Sequence, residues 1–481
     1  MAPLVNMFLL IAIEMKLPEE MLLEIFRHYL YTSPQGWPAL AHVCREWRQI
    51  VLTSSLGLCL RLYCTHRTPV LKNLDVWPPF PLVVSYGGYP TLDPPAHEDD
   101  ENIMAALKQS DRVGSINLTV TNSLLKHLST ISEPFSNLEA LVLLSRDNVQ
   151  QVTPAPSSAF RWGPRLRTLY LTSFPFPTLP QHLSPSTSLV DLRLHEISSV
   201  GYFSPEAFAD AISTLAQLET LSLYFLTLPP RRKFVCLPPH PSNRVALPSL
   251  TCLKYRGTSM YLDRFVARID APSLGVMVIT FFGQPTMDAS HLGQFIERSE
   301  TLRSLDRADV QTSARAISVC YSKPGTLTQL NFQISWKQLD WQLSSLTQIC
   351  DHFSPFLRHV HDLRINSNRS LSENADVDRQ QWRDLMHAFG GTKDFHVGAH
   401  TTDILWALFS ANNASQSGTT VLPALRNLRV TEYISILGPL LEAKESFITS
   451  RELSGCPVEL HIGSFHSGNG SVTYCLVCSG N

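Results

Sequence analysis

The sequence predicts an α/β chain in which a short helical module at the N-terminus precedes a long repeat solenoid with a parallel strand face. Two observations carry this. Between residues 17 and 51 apolar residues recur at helical spacing. From residue 110 onward a phrase of the form L-x-x-L-x-apolar returns at intervals of about 23 to 33 residues, the mark of a unit stacked on copies of itself.

Residues 17–51 read LPEEMLLEIFRHYLYTSPQGWPALAHVCREWRQIV. Leu17-Pro18 opens a first helix whose apolar residues Met21, Leu22, Ile25, Phe26, Tyr29 and Leu30 recur as pairs every four positions, with Glu19, Glu20 and Glu24 on the wet side. Proline is tolerated at that point because first-turn amides have no intrahelical partner, and the two glutamates suit the positive end of the helix dipole. A second helix is expected after Gly36-Trp37-Pro38, with Leu40, Val43, Cys44, Trp47, Ile50 and Val51 in one stripe. Two such short helices cannot bury both stripes against each other, so the pair must pack on another domain or another protein.

The order Leu17-Pro18, then Leu22 and Ile25, then Val43-Cys44-Arg45-Glu46-Trp47 resembles the F-box, in particular its fungal members. The resemblance implies that the apolar helices dock on a Skp-type adaptor bound to a cullin scaffold. Carried over position by position, the docking set is Leu17, Pro18, Leu22, Ile25, Phe26, Leu40, Val43, Cys44 and Trp47. The chain departs from the fungal pattern after the second helix, where Thr53-Ser54-Ser55-Leu56-Gly57 replaces a proline and a Leu-Trp pair.

The repeat phrase occurs as Leu138-Leu141-Leu143, Leu166-Leu169-Leu171, Leu189-Leu192-Leu194, Leu218-Leu221-Leu223, Leu250-Leu253-Tyr255, Leu327-Leu330-Phe332 and Leu425-Leu428-Val430. Chance would supply roughly three such phrases in a chain this rich in leucine. Weaker copies fall between them at Val113-Ile116-Leu118, Leu274-Met277-Ile279, Leu302-Leu305, Val360-Leu363-Ile365 and Phe395-Val397. The pattern resembles an irregular leucine-rich repeat, in which each phrase is a strand with alternate side chains buried, followed by a loop and usually a helix. Return helices are expected at residues 102–108, 205–215 after the cap Ser204, 291–298 and 381–389. Pro229-Pro230 and Leu237-Pro238-Pro239-His240-Pro241 exclude a helix over 229–247, which reads as an exposed loop.

The chain thus divides into an N-terminal extension (1–13), an F-box-like helical domain (14–62), a proline-rich connector (63–109) and a leucine-rich-repeat-like solenoid with a C-terminal cap (110–481). Within the connector Leu82-Val83-Val84-Ser85-Tyr86 suits one short strand capping the array. The apolar run Met7–Ile13 lacks a basic n-region and is too short to span a bilayer, so neither targeting nor membrane insertion is expected.

Composition narrows the partners. A formal net charge of -2 over 481 residues, with both signs interspersed, gives no polybasic face for nucleic acid. Ten scattered cysteines form no disulfide framework and point to a reducing compartment, cytoplasmic or nuclear. Cys456, His461, His466, Cys475 and Cys478 contain one C-x-x-C, but a structural zinc site calls for two close ligand pairs, so no metal is expected. His359-Val360-His361 opens a repeat phrase and reads as strand.

No phosphate loop, dinucleotide fingerprint, nucleophile elbow or H-E-x-x-H occurs, and hence neither a cofactor nor a catalytic site of its own. The resemblance implies instead the substrate-recognition adaptor of a Skp-cullin-F-box ubiquitin ligase, with a non-ligase scaffold that binds the Skp-type adaptor as the alternative. The target surface is expected on the outward strand positions Tyr170, Arg193, Tyr224, Lys254, Arg256, Asn331, Arg364, His396 and Arg429. That row holds more base than acid, although Asp191, Asp362 and Asp394 stand in equivalent places, and suits an acidic or phosphorylated segment. The fallback surface is the loop 229–247.

Overall fold

The computed structural model describes residues 17–33, 35–55, 57–65, 70–73, 78–86, 97–128, 131, 133–145, 163–174, 183, 188–227, 244–282, 287, 289–313, 315–335, 339–367, 375–398, 402–410, 421–430 and 439–462. It forms two units, residues 1–234 and 235–481. The apolar run at 7–13, most of the loop 229–247 and the C-terminal Cys475 and Cys478 lie outside the described residues.

Among the described residues the first unit opens on three helices, α1 (Glu19–Thr32), α2 (Trp37–Val43) and α3 (Arg45–Thr53). Pro18 is extended (φ -53°, ψ 151°) and its carbonyl accepts the first helical bonds, from Met21 and Leu22. The single second helix expected from the apolar stripe is instead two. Cys44 sits between α2 and α3 in extended backbone (φ -154°, ψ 174°), and its Sγ accepts the Trp47 amide at 3.4 Å as an N-cap for α3. The break turns α3 so that Trp47 meets Phe26 of α1 edge-on, ring centroids 4.8 Å apart. Leu22, Phe26, Leu30, Leu40, Trp47, Ile50 and Val51 are buried.

Seven parallel strands follow among the described residues, β1 (Leu62–Cys64), β2 (Leu82–Tyr86), β3 (Val113–Val120), β4 (Ala140–Ser145), β5 (Thr168–Thr172), β6 (Asp191–Ile197) and β7 (Thr220–Phe225), each beside its sequence neighbour. The repeat phrases set their register. Ile116, Leu141, Leu169, Leu192 and Leu221 stand opposite one another as one buried row, and Leu118, Leu143, Leu171, Leu194 and Leu223 as the next. Each such leucine, taken fully out of water, contributes about 1.5–3 kcal/mol of transfer free energy. The sheet begins earlier than residue 110: β1, β2 and the helix His97–Leu107 fall at or within the stretch expected as a connector. Its short strands keep a two-residue alternation, and Pro78, Pro79 and Pro81 lie just ahead of β2.

In the second unit the strands are β8 (Val245–Ala246), β9 (Cys252–Gly257), β10 (Ile269–Asp270), β11 (Val276–Phe282), β12 (Arg307–Thr312), β13 (Ala316–Ser322), β14 (Gln329–Ser335), β15 (Asp362–Ser367), β16 (Asp394–Val397), β17 (Asn427–Val430) and β18 (Glu459–Ile462). β8 and β10 pair as a parallel two-stranded sheet, and the main sheet runs β9-β11-β14-β13-β12-β15-β16-β17-β18. Return helices expected from the sequence are present at Pro205–Ile212, Ser290–Arg298 and Ala375–Ala388, and Ser204 caps the first through the Ala207 amide.

One stretch departs from the repeat. β12, β13 and β14 form an antiparallel meander, entered so that β14 lies parallel to β11 and β12 parallel to β15. The β13–β14 turn is Lys323-Pro324-Gly325-Thr326, with proline in its second place, Gly325 at φ 77° in its third, and the Thr326 amide returning to the Lys323 carbonyl at 3.2 Å. The phrase Leu327-Leu330-Phe332 is therefore only partly a repeat. Leu330 and Phe332 are buried, but Leu327 is 93% exposed, because β14 is reached from a tight turn and no return helix precedes it. The buried rows nonetheless pass through the meander: Leu330 faces Tyr321, Tyr321 faces Ala308, and Ala308 faces Leu363.

Candidate adaptor-docking face and strand face

The nine docking residues expected from the sequence divide into two groups. Leu22 (2% exposed), Phe26, Leu40 and Trp47 (3%) are buried. Leu17 and Ile25 are half-buried, and Pro18, Val43 and Cys44 are exposed. The physical reason is helical phase: positions 22, 26 and 30 share one side of α1, whereas 18, 21 and 25 share the neighbouring side. Met21, 53% exposed and missing from the expected set, stands between Pro18 and Ile25 on that outer side. Val43 (38%) on α2 and Leu52 on α3 are the other large apolar side chains left in water by these helices, apart from Tyr31.

The helices are tied to the first strand. Trp37 Nε1 donates to the Arg61 carbonyl at 3.1 Å, its ring stands edge-on to Phe80 at 5.4 Å, and Arg112 Nη2 donates to the Pro78 carbonyl at 2.8 Å. None of these three contacts uses the outer side of α1.

On the strand face of the first unit, Tyr170, Arg193 and Ser222 stand in register. Arg193 is already engaged, donating through Nε and Nη2 to Asp191 at 3.0 and 2.7 Å. Tyr170 packs edge-on to His195 (4.9 Å) and Tyr224 stacks on it (4.2 Å, 10° between planes). Both His195 ring nitrogens are within bonding distance, Nδ1 of the Tyr170 hydroxyl at 3.1 Å and Nε2 of Ser222 Oγ at 2.8 Å. His195 was not foreseen; it is placed by a bulge between Leu194 and Ile197, where Glu196 takes φ 53° and accepts from the hydroxyl of Ser173, itself at φ 62°.

In the second unit Lys254 and Arg256 face Val278 and Thr280, and Arg256 lies over the Phe282 ring at 5.9 Å. Asp309, Arg364, His396, Arg429 and His461 form one row, beside a second of Arg307, Asp362, Asp394, Asn427 and Glu459. The two rows neutralise each other. Arg364 donates to Asp362 at 3.3 Å and lies 3.9 Å from Asp309, Arg307 donates to Asp362 at 2.9 Å, and Asn427 donates to Asp394 at 2.8 Å. Burial holds His396 below its ordinary pKa against the pull of Asp362, and burial raises Asp309 despite Arg364 and Arg307. Of the bases counted along the sequence, Arg193 and Arg364 are thus committed to acids on the same face, and Asn331 sits beside Val278 and Cys320.

Burial also pushes the thiol of Cys64 up to about 11 and that of Cys350 up to about 12, so both stay protonated at neutral pH. Among the described residues no group of three His, Cys, Asp or Glu is placed to hold a metal ion, and His461 lies 3.4 Å from Glu459. No described helix is long and apolar enough to cross a membrane.

The helical geometry agrees with a family match, since the model of the F-box-like family covers residues 15–56. Residues 15–56 are an F-box-like domain. Its limits enclose α1 to α3 and stop before β1. A search of curated proteins gave no match. Among solved structures the chain is similar to the leucine-rich repeat-containing protein LegL7 from Legionella pneumophila, at 14% identity over 82% of this chain and 98% of that one, with a TM-score of 0.28. The leucine-rich-repeat-like α/β fold of this chain stands on its own strand order and buried leucine rows.

Proposed function

We propose that this chain is the substrate-recognition subunit of a Skp-cullin-F-box ubiquitin ligase of the fungal type its N-terminal motif resembles, acting in the cytoplasm or nucleus and making no bond itself. The observation that carries the reading is the F-box-like domain that buries Leu22, Phe26 and Trp47 yet leaves Pro18, Met21, Val43 and, in part, Ile25 in water. An apolar surface of this kind on a helical module is what a Skp-type adaptor covers. The repeat array then holds the target, and the mechanism is proximity: a target lysine is kept at high effective concentration near a charged ubiquitin-conjugating enzyme.

Co-purification of the full chain tests this. Skp-type adaptor and cullin should both be recovered with it, and both lost with the double variant Met21→Glu/Val43→Glu, whose surface positions leave folding intact. Recovery of the adaptor without the cullin would favour a scaffold outside the ligase, and unchanged recovery by the double variant would overturn the docking face.

A further inference from the structure

Cations without acid partners are also found away from the strand face. In the second unit a groove of about 510 Å³ is lined by Arg244, Arg298, Arg303 and His359 together with Gln294 and Glu297. These residues come from separate elements: Arg244 precedes β8, Gln294, Glu297 and Arg298 lie on the helix Ser290–Arg298, Arg303 closes the helix Glu300–Arg303, and His359 follows the helix Ser354–Leu357. The groove therefore lies where helices hand over to strands.

Arg298 serves the fold, donating to the Ile269 carbonyl at 3.3 Å and lying 3.3 Å from Asp270. Arg244 and Arg303 differ: both are exposed, and neither makes a side-chain hydrogen bond or ion pair among the described residues. Arg244 is near enough to Arg298 for its charge, after burial, to weaken that group's hold on its proton. With Arg298 set against Asp270, Arg244 and Arg303 against Glu297 leave the lining positive in a chain whose formal charge is -2. Like charges gathered in excess of their counter-charge are unfavourable in the free protein, and an anion relieves them.

We propose that this groove takes an extended, carboxylate-rich segment of a partner protein. The inference rests on reading the array as a target receptor. Two free guanidinium groups on separate elements of one groove suit the side-chain carboxylates of an extended chain, each accepted by a planar fork of donors. The volume falls within the range of formed ligand sites, roughly 300–1,000 Å³.

The test is fluorescence anisotropy of a labelled oligo-glutamate peptide on the full chain, with oligo-glutamine and phosphoserine counterparts. The oligo-glutamate probe should bind, lose on the order of tenfold in affinity with Arg244→Glu/Arg303→Glu, and be unaffected by Arg193→Glu/Arg364→Glu. Arg244→Gln/Arg303→Gln decides the matter should the charge reversal disturb folding, and the same direction of loss is expected. Equal binding of the glutamine peptide, or no loss in either double variant, overturns the proposal, and a phosphoserine peptide bound about tenfold tighter overturns its carboxylate assignment. Both groove variants should still recover the Skp-type adaptor; a wild-type chain that recovers none would fail the proposed function, independently of the groove.

Discussion

Trp47→Ala separates the two meanings that one apolar residue in an F-box-like domain can have. Its indole is 3% exposed and meets the fully buried Phe26 ring at 4.8 Å. Truncation to alanine costs about 3–5 kcal/mol for a large buried aromatic, with the edge-to-face pairing worth about 0.5–1.5 kcal/mol of that loss. A domain of roughly forty residues has a stability on the order of 2–6 kcal/mol at typical values per residue, so the loss is comparable to the whole. The helical module should therefore open while the leucine rows, held by their neighbours, persist. Hydrogen exchange read by mass spectrometry checks this: amides of α1 to α3 should lose protection, and those of β4 to β7 should keep it. Adaptor recovery should fall as a consequence of unfolding. Full protection of Glu19–Thr32 together with lost adaptor recovery would refute the argument, because Trp47 would then be a contact residue. The same outcome is the one expected of Met21→Glu/Val43→Glu, which makes the two variants each other's control.

Leu327→Ser should change the urea midpoint by no more than about 0.5 kcal/mol equivalent, whereas Leu330→Ala three residues on should cost about 2–5 kcal/mol; equal costs would contradict the turn-entered β14. His396 gives a pH dependence. Burial lowers its pKa below the ordinary 6.5, opposed by Asp362 and Asp394 and aided by Arg364 and Arg429, so the unfolded chain takes up a proton that the folded chain resists. The stability that the neutral ring contributes is thus present above pH 6.5 and lost as pH falls below it, while the raised Asp309 acts in the opposite sense at more acid pH. Melting temperatures of His396→Gln should fall less than those of the parent between about pH 7 and pH 5.5, and parallel curves would refute the assignment.

The repeat rows were legible because burial in a strand follows a period of two, and Leu141-Leu143 or Leu192-Leu194 satisfy it whatever the loops do. The meander was not, since Arg307–Thr312 and Ala316–Ser322 carry Ala308, Val310 and Val319 where the phrase would have leucine. The Pro324-Gly325 turn was a readable warning that the following phrase is entered differently. The break at Cys44 was hidden by chemistry: a thiol accepting an amide proton is an uncommon N-cap, and Val43-Cys44 continues the apolar stripe without interruption.

The docking face shows a limit of another kind. Amphipathic periodicity states which side of a helix avoids water, not what covers that side. In α1 the apolar arc is wide: Leu22, Phe26 and Leu30 are buried, Phe26 against Trp47 of α3, and Met21 and Ile25, with the N-cap Pro18, remain at its outer edge. An isolated hairpin and a module built to be covered by an adaptor would both show the inner residues. Only the excess width distinguishes them, and it appears in the sequence as Met21 beside Leu22 and Ile25 beside Phe26, adjacent apolar pairs of which the second member is buried and the first is, on the proposed reading, left for the adaptor. The outer member of each pair should consequently tolerate any polar residue in the free chain and none in the adaptor complex.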